Sequence, residues 1–257
     1  MAKVIPLHIE TDDKSARDSK FGDLATKVLD IENPKRQLEM ASQLVNEYPT
    51  NEFAYFIRGF VYENMYNHQK AIADFTEAIR LKPDYAEAYF CRGISYGTSG
   101  EAVQAIEDFT KSIRLKPNDA DTYYNRGICY VKIKEMDLAI KDYKMALRLR
   151  PDDDDMNAAL AYALYMKKEY KKAYPYANKA IRLNPEKCYN HGIRCLVLTG
   201  LQRWSDALKS ANKGLEIAYR TKDARRIVLL ESKIKSIEEE IKKSPATACG
   251  GRDRGER

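Results

Sequence analysis

The sequence is poor in the side chains that carry covalent or metal chemistry. It has three histidines, His8, His68 and His191, and they are scattered. Five cysteines, Cys91, Cys129, Cys188, Cys195 and Cys249, give an odd count with no CxxC pair and no metal-like spacing to the histidines. That argues against a disulfide framework and a zinc site and fits reduced thiols in a cytosol. No phosphate-binding glycine loop, serine elbow or HExxH occurs. The run Asp152 to Asp155 lacks the alternating ligands and closing glutamate of a calcium loop; following Pro151, it reads as a helix start, where acids favour the positive end. No apolar run approaches the roughly 20 residues of a membrane span. The opening "MAKVIPLHIETDD" lacks the apolar core of a signal peptide. These absences lead us to expect a cytoplasmic protein that is not an enzyme and needs no cofactor or metal.

What the sequence has is repetition. "AIADFTEAIRLKP" begins at Ala71, and "AIEDFTKSIRLKP" at Ala105 keeps ten of its thirteen residues. A looser copy, "AIKDYKMALRLRP", follows at Ala139. Ala71, Ala105, Ala139, Ala173 and Ala207 recur at one constant interval, and Pro83, Pro117, Pro151 and Pro185 keep the same step. So do Gly59, Gly93 and Gly127, Tyr55, Tyr89 and Tyr123, and Tyr62, Tyr96 and Tyr130. Composition cannot lock several residue types to one period; stacked supersecondary units can. Within 52–85, Tyr55, Gly59 and Tyr62 step by four and three along a helix, A. Ala71, Phe75, Ala78, Ile79 and Leu81 do so along a second, B. Pro83 stops helix B. Small residues at the glycine and alanine positions let the two helices approach closely.

These positions resemble the tetratricopeptide-repeat family, whose unit is about 34 residues long. The second unit shows the pattern as Tyr89, Gly93, Tyr96, Ala105, Phe109, Ser112 and Pro117. The resemblance implies an all-α, right-handed superhelical solenoid of antiparallel helical hairpins. Units 52–85, 86–119, 120–153 and 154–187 form four repeats. Unit 154–187 keeps Ala173, Ala180 and Pro185 but has Asn157, Ala161 and Leu164 where Tyr, Gly and Tyr stood. Residues 188–221 read as a degenerate fifth repeat, keeping Ala207 with Trp204. Residues 18–51 read as a degenerate N-terminal hairpin, in which Asn33 caps the second helix and Pro34 occupies its first turn. A flexible segment, 1–17, precedes it. From Lys222 a stripe of Ile227, Leu230, Ile234, Ile237 and Ile241 marks a helix over 222–243, either a cap over the last hairpin or a two-heptad seam for self-association. The tail 244–257 is polar, glycine-rich and expected to be disordered.

Arg58, Arg92 and Arg126 precede the repeat glycines, where the family residue is apolar. Sixteen positions later stand Asp74, Asp108 and Asp142. Unit four loses both members, with Leu160 and Tyr176, while Arg194 of the fifth unit faces Ser210. We expect the Arg and Asp to bridge helices A and B of one hairpin.

The resemblance further implies that A helices line a concave groove. Its groove-facing positions hold Phe53, Phe56, Phe60, Phe90, Ile94, Tyr124, Ile128, Tyr162, Tyr165 and Met166. This aromatic and aliphatic stripe makes a protein or peptide the expected partner, because exposed apolar surface of this extent calls for a cover. The carboxylate clamp by which some relatives bind chaperone tails is absent, with Phe56, Phe60, Cys91, Asp121 and Asn125 at its charged and amide positions. An apolar segment is the expected ligand. The apolar stretch Val4, Ile5, Leu7 and Ile9 is a second occupant to consider, in its own groove or a neighbour's, so self-association through 1–17 or 222–243 stays open. A net charge of +6 invites a rival, RNA-binding reading. The charge lies in the wrong place: four A segments sum to −1 and four B segments to +8, leaving the aromatic face uncharged. A regulatory subunit of an enzyme complex is the other alternative.

Overall fold

The structure is a computed structural model that describes residues 19–243. The readings made for residues 1–17 and 244–257, and those on His8 and Cys249, lie outside the described residues. Among those described are thirteen helices and no strand. In chain order they are α1 (Ser19–Leu29), α2 (Pro34–Glu47), α3 (Glu52–Asn64), α4 (His68–Leu81), α5 (Ala86–Ser99), α6 (Ala102–Leu115), α7 (Ala120–Lys132), α8 (Met136–Leu149), α9 (Asp154–Met166), α10 (Tyr170–Leu183), α11 (Cys188–Gly200), α12 (Trp204–Arg220) and α13 (Ala224–Lys243). The chain divides into two compact units between Leu138 and Ala139.

Local sequence sets the helix ends. The Asn33 side chain accepts from the amides of Lys35 and Arg36, with Pro34 in the first turn of α2. Asn51 caps α3 in the same way, accepting from Phe53 and Ala54. Asp153 accepts from the Met156 amide at 3.0 Å, so the acidic run does begin a helix. Each supplies an acceptor to amides that the helix itself leaves unpaired. At the turns between A and B helices, Tyr66, Lys134, Lys168 and Gln202 adopt positive φ, and Gly100 does so at +91°. These positions keep the same step as the repeat. Only the glycine, which has no Cβ, takes this conformation without crowding.

In the first unit, α3 packs on α4, α4 on α5, α5 on α6 and α6 on α7. The hairpins close through a ring on bare backbone. A Cβ at Gly59 would lie 2.9 Å from Cε1 of Phe75, and one at Gly93 would lie 2.8 Å from Cε1 of Phe109. Both rings are buried, with Ala71, Ala78 and Ala105 beside them.

The expected ion pairs cross the same interface. Arg58 donates from Nε and Nη2 to Asp74 at 2.8 and 2.7 Å; Arg92 grips Asp108 with both bonds at 2.8 Å. Each guanidinium also faces tyrosines of its own helix: Arg58 lies 5.7 Å from the Tyr55 ring centroid, and Arg92 lies 5.6 and 5.9 Å from Tyr89 and Tyr96. Arg126 is flanked likewise by Tyr123 and Tyr130. The periodic tyrosines thus sandwich a cation, standing three residues before and four after it on one helix face. Arg92 further donates to Thr76 Oγ1, and Arg126 to Thr110 Oγ1, both at 3.0 Å, tying each hairpin to the one before.

In the second unit, α9 packs on α10, α10 on α11, α11 on α12, and α12 on α13. Leu230 and Ile237 of α13 are buried, and Ile227 and Ile234 pack on the same core.

Burial pushes the Asp108 carboxyl above its ordinary value, and Arg92 offsets this only in part. The pair therefore matters most when half of it is removed. We expect Asp108→Ala to destabilise the fold by about 3–5 kcal/mol by leaving Arg92 unpaired. Adding Arg92→Leu, the residue type that stands at Leu160, should recover most of the loss. Urea denaturation of the single and double variants measures both.

Candidate peptide-binding faces

In the first unit the predicted site residues separate into two groups. Phe53 is half-buried, with its ring 6.0 Å from Phe56 in a stacked arrangement and edge-on to Phe21 at 6.1 Å. Phe56 is only 3% exposed and Phe60 7%, so neither presents a surface. This corrects the expectation that both face a groove. Phe56 fills the space between Phe75 at 5.7 Å and Tyr85 at 5.1 Å. That space exists because Ala71, Ala78, Ala88 and Cys91 are small. Phe90, Ile94, Tyr124 and Ile128, on α5 and α7, keep part of their surface in solvent. Phe90 rests one side against Phe109 at 5.9 Å, leaving the remainder open.

In the second unit Tyr162 and Tyr165 are half-buried and Met166 is exposed. The Tyr162 and Tyr165 rings lie 6.5 Å apart, and Tyr170 continues the series 5.7 Å from Tyr165. Sequence reasoning did not single out Tyr189 of α11 or Arg226 of α13, whose guanidinium lies 5.5 Å from the Tyr189 centroid. Extending the repeat register into the degenerate units would have found Tyr189, since it occupies the position of Phe53. The fading of the other repeat residues hid it.

The charges around this face are closed among themselves. Lys187 bonds Asp154 at 2.9 Å and Asp155 at 2.5 Å, and Arg226 bonds Asp223 at 3.0 Å. Burial alone would raise the Asp154 carboxyl, but hydrogen bonds from Lys187 and Asn190 outweigh it and hold the group below its ordinary value. Burial pushes the Tyr165 and Tyr189 hydroxyls up.

No arrangement for catalysis emerges around these residues. Among the described residues no group of three or more His, Cys, Asp or Glu is placed to hold a metal. Cys91, Cys129, Cys188 and Cys195 are buried, and desolvation raises all four thiols, which leaves them poor nucleophiles. No described helix is long and apolar enough to cross a membrane.

Family profiles match where the repeats are clearest. A Tetratricopeptide repeat profile covers residues 120–153, a TPR repeat profile 67–100, and a further Tetratricopeptide repeat profile 137–187. This chain is a tetratricopeptide-repeat protein. The TPR fold is also that of its solved neighbours. PilF of Pseudomonas aeruginosa is 14% identical, with a TM-score of 0.70 over 84% of this chain and 96% of that one. YrrB, described as a TPR protein with an unusual peptide-binding site, is 17% identical, with a TM-score of 0.62 over 75% and 97%. MamA of Desulfovibrio magneticus RS-1 is 18% identical, with a TM-score of 0.61 over 65% and 94%. At these identities the likeness speaks for the all-α repeat fold alone. No curated protein matches the chain.

One buried group in the second unit is placed to respond to acid. His191 Nε2 bonds the Pro185 carbonyl at 2.8 Å, so Nε2 carries the proton, and Nδ1 is buried without a partner. Burial, with Arg194 and Lys213 nearby, lowers the His191 pKa. A histidine depressed in the folded state stabilises it fully above the unfolded value of about 6.5, and that contribution is lost as pH falls below it. We expect the melting temperature to drop between pH 7 and pH 5.5. His191→Gln should lower stability at pH 7 and flatten that slope, as read by thermal melts across the range.

Proposed function

We propose that this chain is a non-enzymatic interaction scaffold that binds an apolar segment of a partner protein on the faces of its A helices. The observation that carries the reading is the set Phe90, Ile94, Tyr124 and Ile128, together with Phe53, half-buried on the first unit with no helix of that unit covering them completely. Preformed apolar surface of this kind gains affinity when a partner covers it, and aromatic side chains at its centre carry most of the energy. The peptide-binding description of YrrB, a fold neighbour, supports the same class of function. The site is apolar rather than a carboxylate clamp, because Cys91 and Asp121 hold clamp positions. The partner is a protein, not a nucleic acid, since the excess positive charge belongs to B segments. The TPR protein works in the cytoplasm, in keeping with its free, buried thiols. Helix α13 is a cap on α12, with Ile227, Leu230, Ile234 and Ile237 of its stripe packed on that core, rather than a seam for self-association.

A Phe90→Ala/Tyr124→Ala variant tests the reading. Truncating two central aromatics should weaken a partner by about 30-fold or more, while the melting temperature stays within a few degrees. Affinity capture with both proteins side by side should lose the specific partner from the variant; an unchanged set of captured proteins would sink the proposal.

A further inference from the structure

The second unit carries small residues at the register where the first unit carries rings. Following the repeat step onward from Phe56 and Phe90 leads to Tyr124, then Ala158, then Gly192. Gly192 sits inside α11, where glycine weakens a helix. Gly59, Gly93, Gly200 and Gly214 each have a packing reason to lack a side chain, because a Cβ would come within 2.5–3.1 Å of a neighbour. Gly192 has none: among the described residues nothing lies within 4 Å of where its Cβ would be. Its helix gains nothing from this glycine. An element approaching from outside would gain room.

What surrounds the notch identifies that element. Tyr189 precedes Gly192 by three residues and Leu196 follows by four, so both lie on its face of α11. Tyr189 carries Arg226 on its ring, and its hydroxyl feels Tyr162 of α9, which continues the tyrosine series to Tyr165. The charged groups bordering Tyr189 are Asp155, Lys187 and Arg226, and all three are engaged in ion pairs within the unit. The charges at this face are thus paired within the unit, so a neutral ligand meets it without supplying a counter-charge. Half-buried rings with hydroxyl donors at their edges suit a chain that offers flat apolar faces and unbonded carbonyls. A polyproline II segment offers both, having no internal hydrogen bonds and proline rings to lay on aromatics.

The geometry points to a recognition site for a proline-rich segment of a partner protein over Gly192, with Tyr162 and Tyr189 as stacking faces, Tyr165 as a hydroxyl donor and Leu196 as apolar floor. The inference rests on the scaffold reading and gives the second unit its own ligand class. A tyrosine hydroxyl is protonated at neutral pH, which is the state that donates to a carbonyl.

Fluorescence anisotropy with a labelled decaproline peptide tests it on the full chain, beside an acidic decapeptide and an apolar helical peptide. Decaproline should bind saturably and the acidic peptide at least tenfold more weakly. Gly192→Leu fills the notch with a better helix former; it should leave the melting temperature unchanged or raised and weaken decaproline at least tenfold. Tyr189→Ala should weaken it five- to thirtyfold, and Tyr189→Phe a few-fold through the lost hydroxyl. Absence of decaproline binding, tighter binding of the acidic peptide, or binding that survives Gly192→Leu overturns the inference. If the helical peptide then still binds and loses affinity in Phe90→Ala/Tyr124→Ala, the scaffold reading stands without it. If neither peptide binds and partner capture is insensitive to that variant, both fall together.

Discussion

Two helices can be held against each other only as closely as their side chains allow, and here a missing side chain sets the distance. The rings of Phe75 and Phe109 lie on the backbone at Gly59 and Gly93, nearer than any Cβ could stand. That contact fixes the hairpin and brings Arg58 and Arg92 within reach of the carboxylates opposite. It also places the helices so that Arg92 and Arg126 each meet a threonine of the preceding hairpin. A ring on bare backbone, a bidentate ion pair and a tyrosine sandwich thus share one interface. The strong repeats copy them together because each depends on the spacing set by the others.

The weak repeats show the same logic by departing from it. Where glycine becomes Ala161, the aromatic of the facing helix becomes Ala177; where it becomes Cys195, the partner is Ala211. A larger residue on one side is matched by a smaller one on the other, which keeps the packed volume near constant. The ion pair behaves alike. Leu160 stands with Tyr176, so neither half of a buried pair is left alone. Arg194 opposite Ser210 breaks that rule, and its Nε and the Ser210 hydroxyl are among the buried atoms without hydrogen-bond partners. With Asn190 Oδ1 and His191 Nδ1, the Arg194 Nε puts three such atoms on α11, facing the Ser210 hydroxyl on α12. The histidine's depressed titration is one consequence.

Much of the fold was legible in the sequence because its signals are local or periodic. Proline and asparagine mark helix ends by what they do to their own backbone, so Asn33, Asn51 and Asp153 were readable one at a time. The Arg–Asp pairs were readable because their constant separation is the reach from helix A to helix B of one hairpin, and two sites change in step. Exposure was harder. Phe56 and Phe60 stand at register positions expected to face a groove, yet Phe56 is drawn inward by the small residues around it. Whether a ring points out or in depends on what its neighbours leave empty, and for Phe56 those neighbours include Tyr85, Ala88 and Cys91 of the next hairpin. Tyr189 was missed for the complementary reason, since its own unit had lost the residues that announce the register.

The distribution of charge explains why a scaffold of this kind can carry +6 and still present apolar faces. A lysine or arginine on an A helix must be neutralised locally or it will repel an apolar ligand through its need for water. Arg58 and Arg92 meet that demand by pairing across the hairpin, Arg226 by pairing with Asp223 beside its own helix. Lys187 is closed by two aspartates at once. The B helices face no such demand, and their cations remain hydrated or pair loosely, as Lys172 does with Glu169. The excess positive charge is thereby carried by one set of helices and the half-buried aromatics by the other. The cap helix α13 follows the same rule beside Tyr189, where a substitution such as Asp223→Asn would remove the carboxylate that pairs with Arg226.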